Sequence, residues 1–251
     1  MFKGVIIDVD GVIKPYTLQG LPEPIDQDAI EGIKLIEESG LKVCYASGKK
    51  ASYVNGCIIC SGLNGNSFIA GENGGIIING CEPIMKYSEH LEAIESLRKE
   101  LPIAVNKWSC FKKDSLQGWM MEEEKDASLT ILLSGLDPIS FSKYLEDMIK
   151  AMGIELVVIP GPSYVDVIQK GADKSYALGI FSNETGIAPE DMVGIGDEKN
   201  DIPMLKLVGF PAAPANAISE VKGIVQGRGG YLASKPVGKG FLEICKYIIK
   251  L

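Results

Sequence analysis

Val5-Ile6-Ile7-Asp8-Val9-Asp10-Gly11 is an apolar run that ends in two carboxylates one residue apart and then a glycine. Such a run reads as a buried strand, and a strand interior does not accept Asp willingly. The pair therefore belongs where the strand stops, at its carboxyl edge. In an open α/β sheet that edge is where ligands bind. Alternation along an extended chain puts Asp8 and Asp10 on one side, close enough to share a cation. An Asx-type turn closing the strand with Asp10-Gly11 explains the same residues without any chemistry. On this stretch alone the two readings weigh equally, and later motifs decide between them.

Working outward, the chain alternates strand and helix. A loop from Pro15 to Pro24 is followed by a helix over about Asp28 to Ser39, with Asp26 as N-cap and Gly40 as its stop. Leu41 to Ala46 reads as a second buried strand ending in Ser47-Gly48-Lys49, and a helix then runs to about Cys60. Phe68 to Ala70 and Ile76 to Ile78 are short strands on either side of Gly71-Glu72-Asn73-Gly74-Gly75. This βαβα order predicts a parallel sheet with helices on its faces. From about Cys81 the texture changes to a charged helix, Ser88 to Leu101, and a mixed stretch, Trp108 to Asp126. The strand Leu129 to Leu133, the helix Pro138 to Met152 and the strands Leu156 to Ile159 and Tyr164 to Ile168 follow. Together these make a small α+β module with a core of its own. The first pattern then resumes with a helix, Lys174 to Thr185, and a buried strand, Met192 to Ile195. After that strand come the loop Gly196-Asp197-Glu198-Lys199-Asn200-Asp201, a helix, a short strand near Phe210 and a closing helix, Phe241 to Lys250. The predicted organisation is a Rossmann-like α/β core, residues 1–81 and 169–251, with an α+β module inserted at 82–168.

Composition narrows the function classes. With 251 residues, 46% hydrophobic and 23% charged, this is the make-up of a globular protein with a substantial core. A net charge of −8 without a Lys/Arg-rich run argues against a nucleic-acid partner. No apolar run approaches the roughly 18 residues of a membrane span, and no signal-peptide pattern opens the chain, so it is read as cytoplasmic. Cys57-Ile-Ile-Cys60 has zinc-knuckle spacing but no second pair to complete a site, and core thiols are the preferred reading. His90 is read as an exposed surface residue. As the single histidine, it excludes a His-based triad elsewhere. The run Glu122-Glu123-Glu124 reads as a solvated strand end or loop.

Three predicted core strands end in polar residues: Asp8 and Asp10; Ser47 and Gly48; Asp197 with Asn200 and Asp201. If these strands are neighbours, four carboxylates share one crevice. Repulsion at that density calls for a cation, and all-oxygen ligands select a hard one such as Mg²⁺. Ser47 offers a hydroxyl beside a glycine whose N–H can approach an anion at a helix start. Lys174 brings a positive charge. The set suits a metal-held phosphate ester attacked by a carboxylate. Each residue also has a plainer use: Ser47 as a helix cap, Lys174 as a surface lysine, Asn200 and Asp201 as caps for the helix at Ile202-Pro203.

The combination Asp8-Val-Asp10-Gly11, Ser47-Gly48, Lys174 and Gly196-Asp197-x-x-Asn200-Asp201 resembles the four motifs of the haloacid dehalogenase superfamily of phosphatases. The insert between the second and third motifs is similar to that superfamily's C2-type cap, as in the Cof-like branch. Gly71 to Gly75, Asn106-Lys107-Trp108, Asp201 to Met204 and Pro214 to Ala217 are similar to the archaeal-type phosphoglycolate phosphatases within it. Val12 replaces the usual Thr or Asn, and Lys49 stands where Arg or Asn is frequent.

The resemblance implies Asp8 as nucleophile and Asp10 as the general acid that becomes a general base. It implies Ser47, Gly48, Lys174 and Asn200 around the phosphate, with Asn200 either touching it or orienting Asp201. It also implies Mg²⁺ held by Asp8, the Asp10 carbonyl, Asp197 and Asp201. The expected partner is a small phosphorylated metabolite, with phosphoglycolate favoured and Lys49, Lys107, Lys112 and Lys113 as candidates for its carboxylate. The expected assembly is a monomer or homodimer. Alternatives are phosphatases of other sugar or polyol phosphates, such as sucrose-phosphate-like or mannosyl-phosphoglycerate-like esters. A non-catalytic phosphate-binding regulator is a further alternative, and retention of Asp8, Asp10, Lys174 and Asp197 together speaks against it.

Overall fold

The fold is that of a computed structural model, which describes residues 1–16, 24–65, 67–80, 82–86, 91–113, 116–122 and 125–251. The readings made for most of the Pro15–Pro24 loop, Cys81, the helix start at Ser88, His90, Glu123 and Glu124 lie outside the described residues. The chain divides into two compact units, Met1–Ile84 with Asp173–Leu251, and Met85–Ala172.

The first unit is built on β1 (Gly4–Asp8), β2 (Lys42–Ala46), β3 (Phe68–Gly71), β4 (Ile76–Asn79) and the start of β5 (Glu82–Lys86), whose last two residues belong to the second unit, followed later in the chain by β10 (Met192–Ile195), β11 (Phe210–Ala213) and β12 (Tyr231–Leu232). Their order across the eight-stranded sheet is β12-β11-β10-β1-β2-β3-β4-β5. The first six run parallel, and β1 lies between β2 and β10 in the register Gly4↔Lys42 and Gly4↔Met192. The strands whose ends carry the polar motifs are therefore neighbours. β1 is buried along its whole length, which is why its sequence is continuously apolar rather than alternating. β4 departs from the parallel pattern and pairs antiparallel with β3, because only the short turn Glu72–Gly74 separates them.

Helix α1 (Gln27–Glu38) starts as its sequence predicts, with Asp26 Oδ1 accepting from the Asp28 N–H at 2.9 Å. Helix α2 (Ala51–Cys60) begins four residues after Ser47. Cys57 on it is half-buried and Cys60 exposed, so neither is the core thiol expected; Cys44 and Cys245 are. After the insert come α5 (Lys174–Thr185), α6 (Ile202–Leu207), α7 (Ser219–Gly227) and α8 (Val237–Ile248). Of this unit, β5, α7 and β12 are not foreseen from the sequence. The glycines Gly223 and Gly227 dilute the α7 signal, but Val221 and Val225, four apart, are fully buried and hold it to the sheet.

In the second unit β6 (Gly118–Met121), β7 (Ser128–Ser134), β8 (Leu156–Pro160) and β9 (Tyr164–Gln169) form an antiparallel sheet in the order β6-β7-β9-β8. Helices α3 (Leu91–Lys107) and α4 (Pro138–Ala151) close a core that includes Leu97, Leu101, Ile131, Phe141, Leu145 and Val165. Helix α3 runs past its expected end at Leu101 and through Pro102. An interior proline costs a helix about 3 kcal/mol. Val105 continues the stripe of Ile94, Leu97 and Leu101 into the core, and that burial offsets the cost. Trp108, which the resemblance singled out, is buried here against Phe141 and stacked on Tyr144. Among the described residues no helix is long and apolar enough to cross a membrane.

Candidate active site

Asp8 is the last residue of β1 and is almost fully buried. The chain then turns sharply at Gly11, whose φ of +85° suits glycine alone. A Cβ at Gly11 meets Asp197 Oδ2 at 2.1 Å, so the glycine also leaves room for the carboxylate arriving from the end of β10. Asp197 follows Gly196, and a 3₁₀ turn at Lys199–Asp201 folds Asp201 back on the strand end. There Asp201 Oδ2 accepts from the N–H groups of Asp197 and Glu198 at 2.8 and 2.9 Å. Oxygens of Asp8, Asp197 and Asp201 lie within 4.8 Å of one another, and all three residues are buried.

Lys174 answers part of that charge. It is the first residue of α5, fixed by the N-cap Asp173, whose Oδ1 accepts from the Ser175 and Tyr176 N–H groups at 2.8 and 3.1 Å. A cation at a helix N-terminus opposes the helix dipole, and this one is fully buried as well. It is stable there because Nζ donates to Asp8 Oδ1 at 2.6 Å and to Asp201 Oδ1 at 2.5 Å. Burial alone lowers a lysine, but Asp201 and then Asp8 outweigh it and hold the ammonium above its ordinary range.

One ammonium does not neutralise three carboxylates. Burial first, and repulsion from Asp201 next, push Asp197 up to about 7, and the same two causes raise Asp8 well above a usual carboxylate despite Lys174. Three buried carboxylates drawn together and short of positive charge are a donor set that fits a hard divalent cation.

Asp10 stands apart from this cluster. Its carboxylate pairs with Lys14 at 3.2 Å and keeps 18% of its side-chain surface exposed. Ser47, at the end of β2, is buried. Its Oγ accepts from the Lys49 N–H at 3.0 Å, a local turn bond rather than the helix cap considered from sequence. Gly48 lies beside Asn73, which adopts a left-handed φ of 56° next to Glu72 at 54°. Asn73 donates its N–H to the Ser47 carbonyl at 2.9 Å, and its Oδ1 accepts from Asn200 Nδ2 at 3.3 Å. Asn200 thus reaches across to Asn73, and backbone amides do the orienting of Asp201 that the sequence reading had offered to Asn200.

Four residues of the site were given no role from sequence: Lys14, Tyr16, Asn73 and Asn216. Tyr16 OH donates to Asp197 at 3.2 Å. Asn216 Nδ2 donates to the Gly11 carbonyl and to Asp197 Oδ2, both at 2.9 Å. Asn216 Oδ1 accepts from the Val237 N–H at 2.8 Å, where Val237 holds a left-handed φ of 47° at the start of α8. Asn73 and Asn216 stand in stretches the resemblance had marked. Of the four lysines suggested for a substrate carboxylate, Lys49 is half-buried in the first unit, and Lys107, Lys112 and Lys113 are exposed on the second.

A family model described as haloacid dehalogenase-like hydrolase matches residues 106–227. A phosphoglycolate phosphatase of Thermoplasma volcanium is 30% identical over 241 residues, spanning 96% of this chain and 97% of the relative. The chain belongs to the haloacid dehalogenase-like hydrolases. Within them it is a Cof-like phosphatase, a phosphoric monoester hydrolase. A phosphoglycolate phosphatase of Methanospirillum hungatei is 27% identical across 98% of this chain and 96% of its own. Among solved structures, a Thermoplasma acidophilum protein matches the whole of both chains at a TM-score of 0.76 and 24% identity. The sucrose-phosphatase of Synechocystis, solved with sucrose and phosphate, matches 98% of each chain at 0.69 and 18%; at these identities the two structures speak for the fold.

Proposed function

We propose that this phosphatase hydrolyses phosphoglycolate to glycolate and phosphate, with Asp8 as nucleophile and Mg²⁺ as its cation. The observation that carries the chemistry is the buried Lys174 ammonium bridging Asp8 and Asp201 inside a cluster of three carboxylates. The substrate rests on relatives at 24 to 30% identity that are named phosphoglycolate phosphatases.

In this reading an ionised Asp8 oxygen forms a bond to phosphorus as the bond from phosphorus to the glycolate oxygen breaks. The electron pair stays on the leaving oxygen, which takes a proton from the Asp10 carboxyl. Asp10, now a carboxylate, accepts a proton from the water that attacks the aspartyl phosphate. Phosphate leaves and Asp8 is restored. Lys174 holds the Asp8 carboxylate in line and, with Ser47 Oγ, the Gly48 N–H and Asn200, receives the phosphoryl oxygens where charge spreads. Asp8, the Asp10 carbonyl, Asp197 and Asp201 would hold the cation, which supplies charge neutralisation and orientation for the ester when bound.

The test is phosphate release from phosphoglycolate, several sugar and polyol phosphates and an aryl phosphate, with Mg²⁺ and after chelation. Metal-dependent turnover with phosphoglycolate leading in kcat/KM is expected, and Asp8→Asn should abolish it while leaving the circular dichroism spectrum unchanged. A flat profile rejects the substrate, and wild-type turnover by Asp8→Asn rejects the nucleophile.

A further inference from the structure

Lys14 takes no part in the reaction just described, yet it is fully buried four residues from Asp10. Its place is fixed by the backbone. Lys14 donates its N–H to the Val9 carbonyl at 3.2 Å and accepts from the Gly11 N–H at 2.7 Å, and Ile13 donates to Val9 at 3.0 Å. This tight loop turns the side chain inward. Nζ comes to 3.2 Å from Asp10 Oδ1 and 5.5 Å from the centre of the Tyr53 ring.

Burying an ammonium is costly, and a lysine kept only to fill space is better replaced by methionine of similar volume. The charge needs a reason, and the ion-pair partner the structure gives it is Asp10, although Nζ makes no hydrogen bond among the described residues. The Asp10 carboxylate is also not among the three whose oxygens lie within 4.8 Å of one another. An aspartate has two rotatable side-chain bonds, and a cation among its neighbours draws an untethered carboxylate toward it. Proton transfer needs the opposite: one oxygen held within hydrogen-bond reach of the leaving group.

The geometry points to Lys14 as a positioning residue that engages Asp10 Oδ1, keeps the carboxylate off the Asp8–Asp197–Asp201 cluster and leaves Oδ2 to carry the proton. The inference rests on the role given to Asp10 above. It adds no group to the reaction; it assigns what holds the acid in place.

The experiment compares kcat/KM for two esters in Lys14→Met, Lys14→Arg, Asp10→Asn and wild type. One is the alkyl phosphate that wild type hydrolyses best, whichever it proves to be, so a wrong choice of phosphoglycolate leaves the comparison intact. The other is nitrophenyl phosphate, whose leaving group departs without a proton. General acids contribute on the order of 100-fold or more to expulsion of a poor leaving group. Lys14→Met is therefore expected to lose at least about tenfold more on the alkyl ester than on the aryl ester, and Lys14→Arg to recover most of that difference. Asp10→Asn is expected to discriminate in the same direction. If it does and Lys14→Met loses equally on both esters, or on neither, Lys14 has only a packing role and the inference is overturned. If Asp10→Asn itself fails to discriminate, the role of Asp10 falls, and this inference with it. Should Lys14→Met not fold, Lys14→Gln, one atom shorter but keeping an N–H donor without the charge, is read by the same ratio.

Discussion

Without a cation at the three carboxylates, the stability of this protein should fall as the pH rises toward neutrality. Asp197, ordinarily near 3.8, is held at about 7 by burial and by Asp201. Between those values the folded chain keeps a proton that the unfolded chain has released. The associated stability is thus fully present below about pH 4 and is lost as the pH climbs to about 7. At about 1.4 kcal/mol per pH unit, the part that falls between about pH 5.5 and about pH 7 is about 2 kcal/mol. For a chain of this size that corresponds to roughly 4–8 °C in melting temperature. Asp8, raised for the same reasons, pushes in the same direction. A cation bound by ionised carboxylates reverses the trend. Its stabilisation grows as they deprotonate and reaches about 2.7 kcal/mol when the free metal is a hundredfold above Kd. Differential scanning calorimetry from about pH 5.5 to about pH 8, with chelator and with Mg²⁺, reads both slopes. Asp197→Asn should flatten the metal-free slope by about the amount given. A metal-free melting temperature that is constant or rises over this window refutes the electrostatic account of the cluster.

Two substitutions probe the loop that carries the acids. Gly11→Ala meets both a left-handed φ of +85° and Asp197 Oδ2 at 2.1 Å, whereas Gly40→Ala meets only a φ of +82° with nothing within 4 Å. The first should therefore lose Mg²⁺ binding in titration calorimetry and melt lower than the second, whose cost is about 1 kcal/mol; equal effects remove the claimed contact. Asn216→Ala frees Gly11, Asp197 and Val237 at once. A stability loss of about 1 kcal/mol with weaker Mg²⁺ binding is expected, since the asparagine is exposed and water replaces part of its bonding; unchanged metal affinity shows that it does not orient Asp197.

What could be read from the chain was what short-range pattern encodes. The apolar runs ending at Asp8, Ala46 and Ile195 gave the strands, and their polar ends gave Asp8, Ser47 and Asp197. That these ends sit side by side was only a condition of the sequence argument, and the strand order β10-β1-β2 met it. Lys174 was marked by motif order, although its burial and its two carboxylate partners depend on residues far away in sequence. Lys14 and Tyr16 carried no signal, because a lysine and a tyrosine in a loop are ordinarily solvated; the folded turn buries Lys14 and brings the hydroxyl of the still exposed Tyr16 to Asp197. Asn73 and Asn216 lay in stretches the resemblance had marked, yet their partners span the chain from Ser47 to Asn200 and from Gly11 to Val237. The antiparallel β4 was hidden by the brevity of its connection, and α3 outran its proline because tertiary burial of Val105 overrode a local rule.

The position of β1 between β2 and β10 bears on how the molecule is made. Gly4 pairs with Lys42 on one side and Met192 on the other, with the whole of Met85–Ala172 lying between these pairings in the chain. Synthesis runs from the N-terminus at about 5–20 residues per second. Asp8 leaves the ribosome early, and Lys174, Asp197 and Asp201 follow only after the second unit is complete. Until β10 arrives, β1 has an open edge, and its apolar run is the kind of surface that a nascent chain must keep from other strands. An interrupted chain that ends within the second unit holds the aspartate proposed as nucleophile but lacks Lys174, Asp197 and Asp201, so ester cleavage by the proposed route waits on the residues translated after that unit.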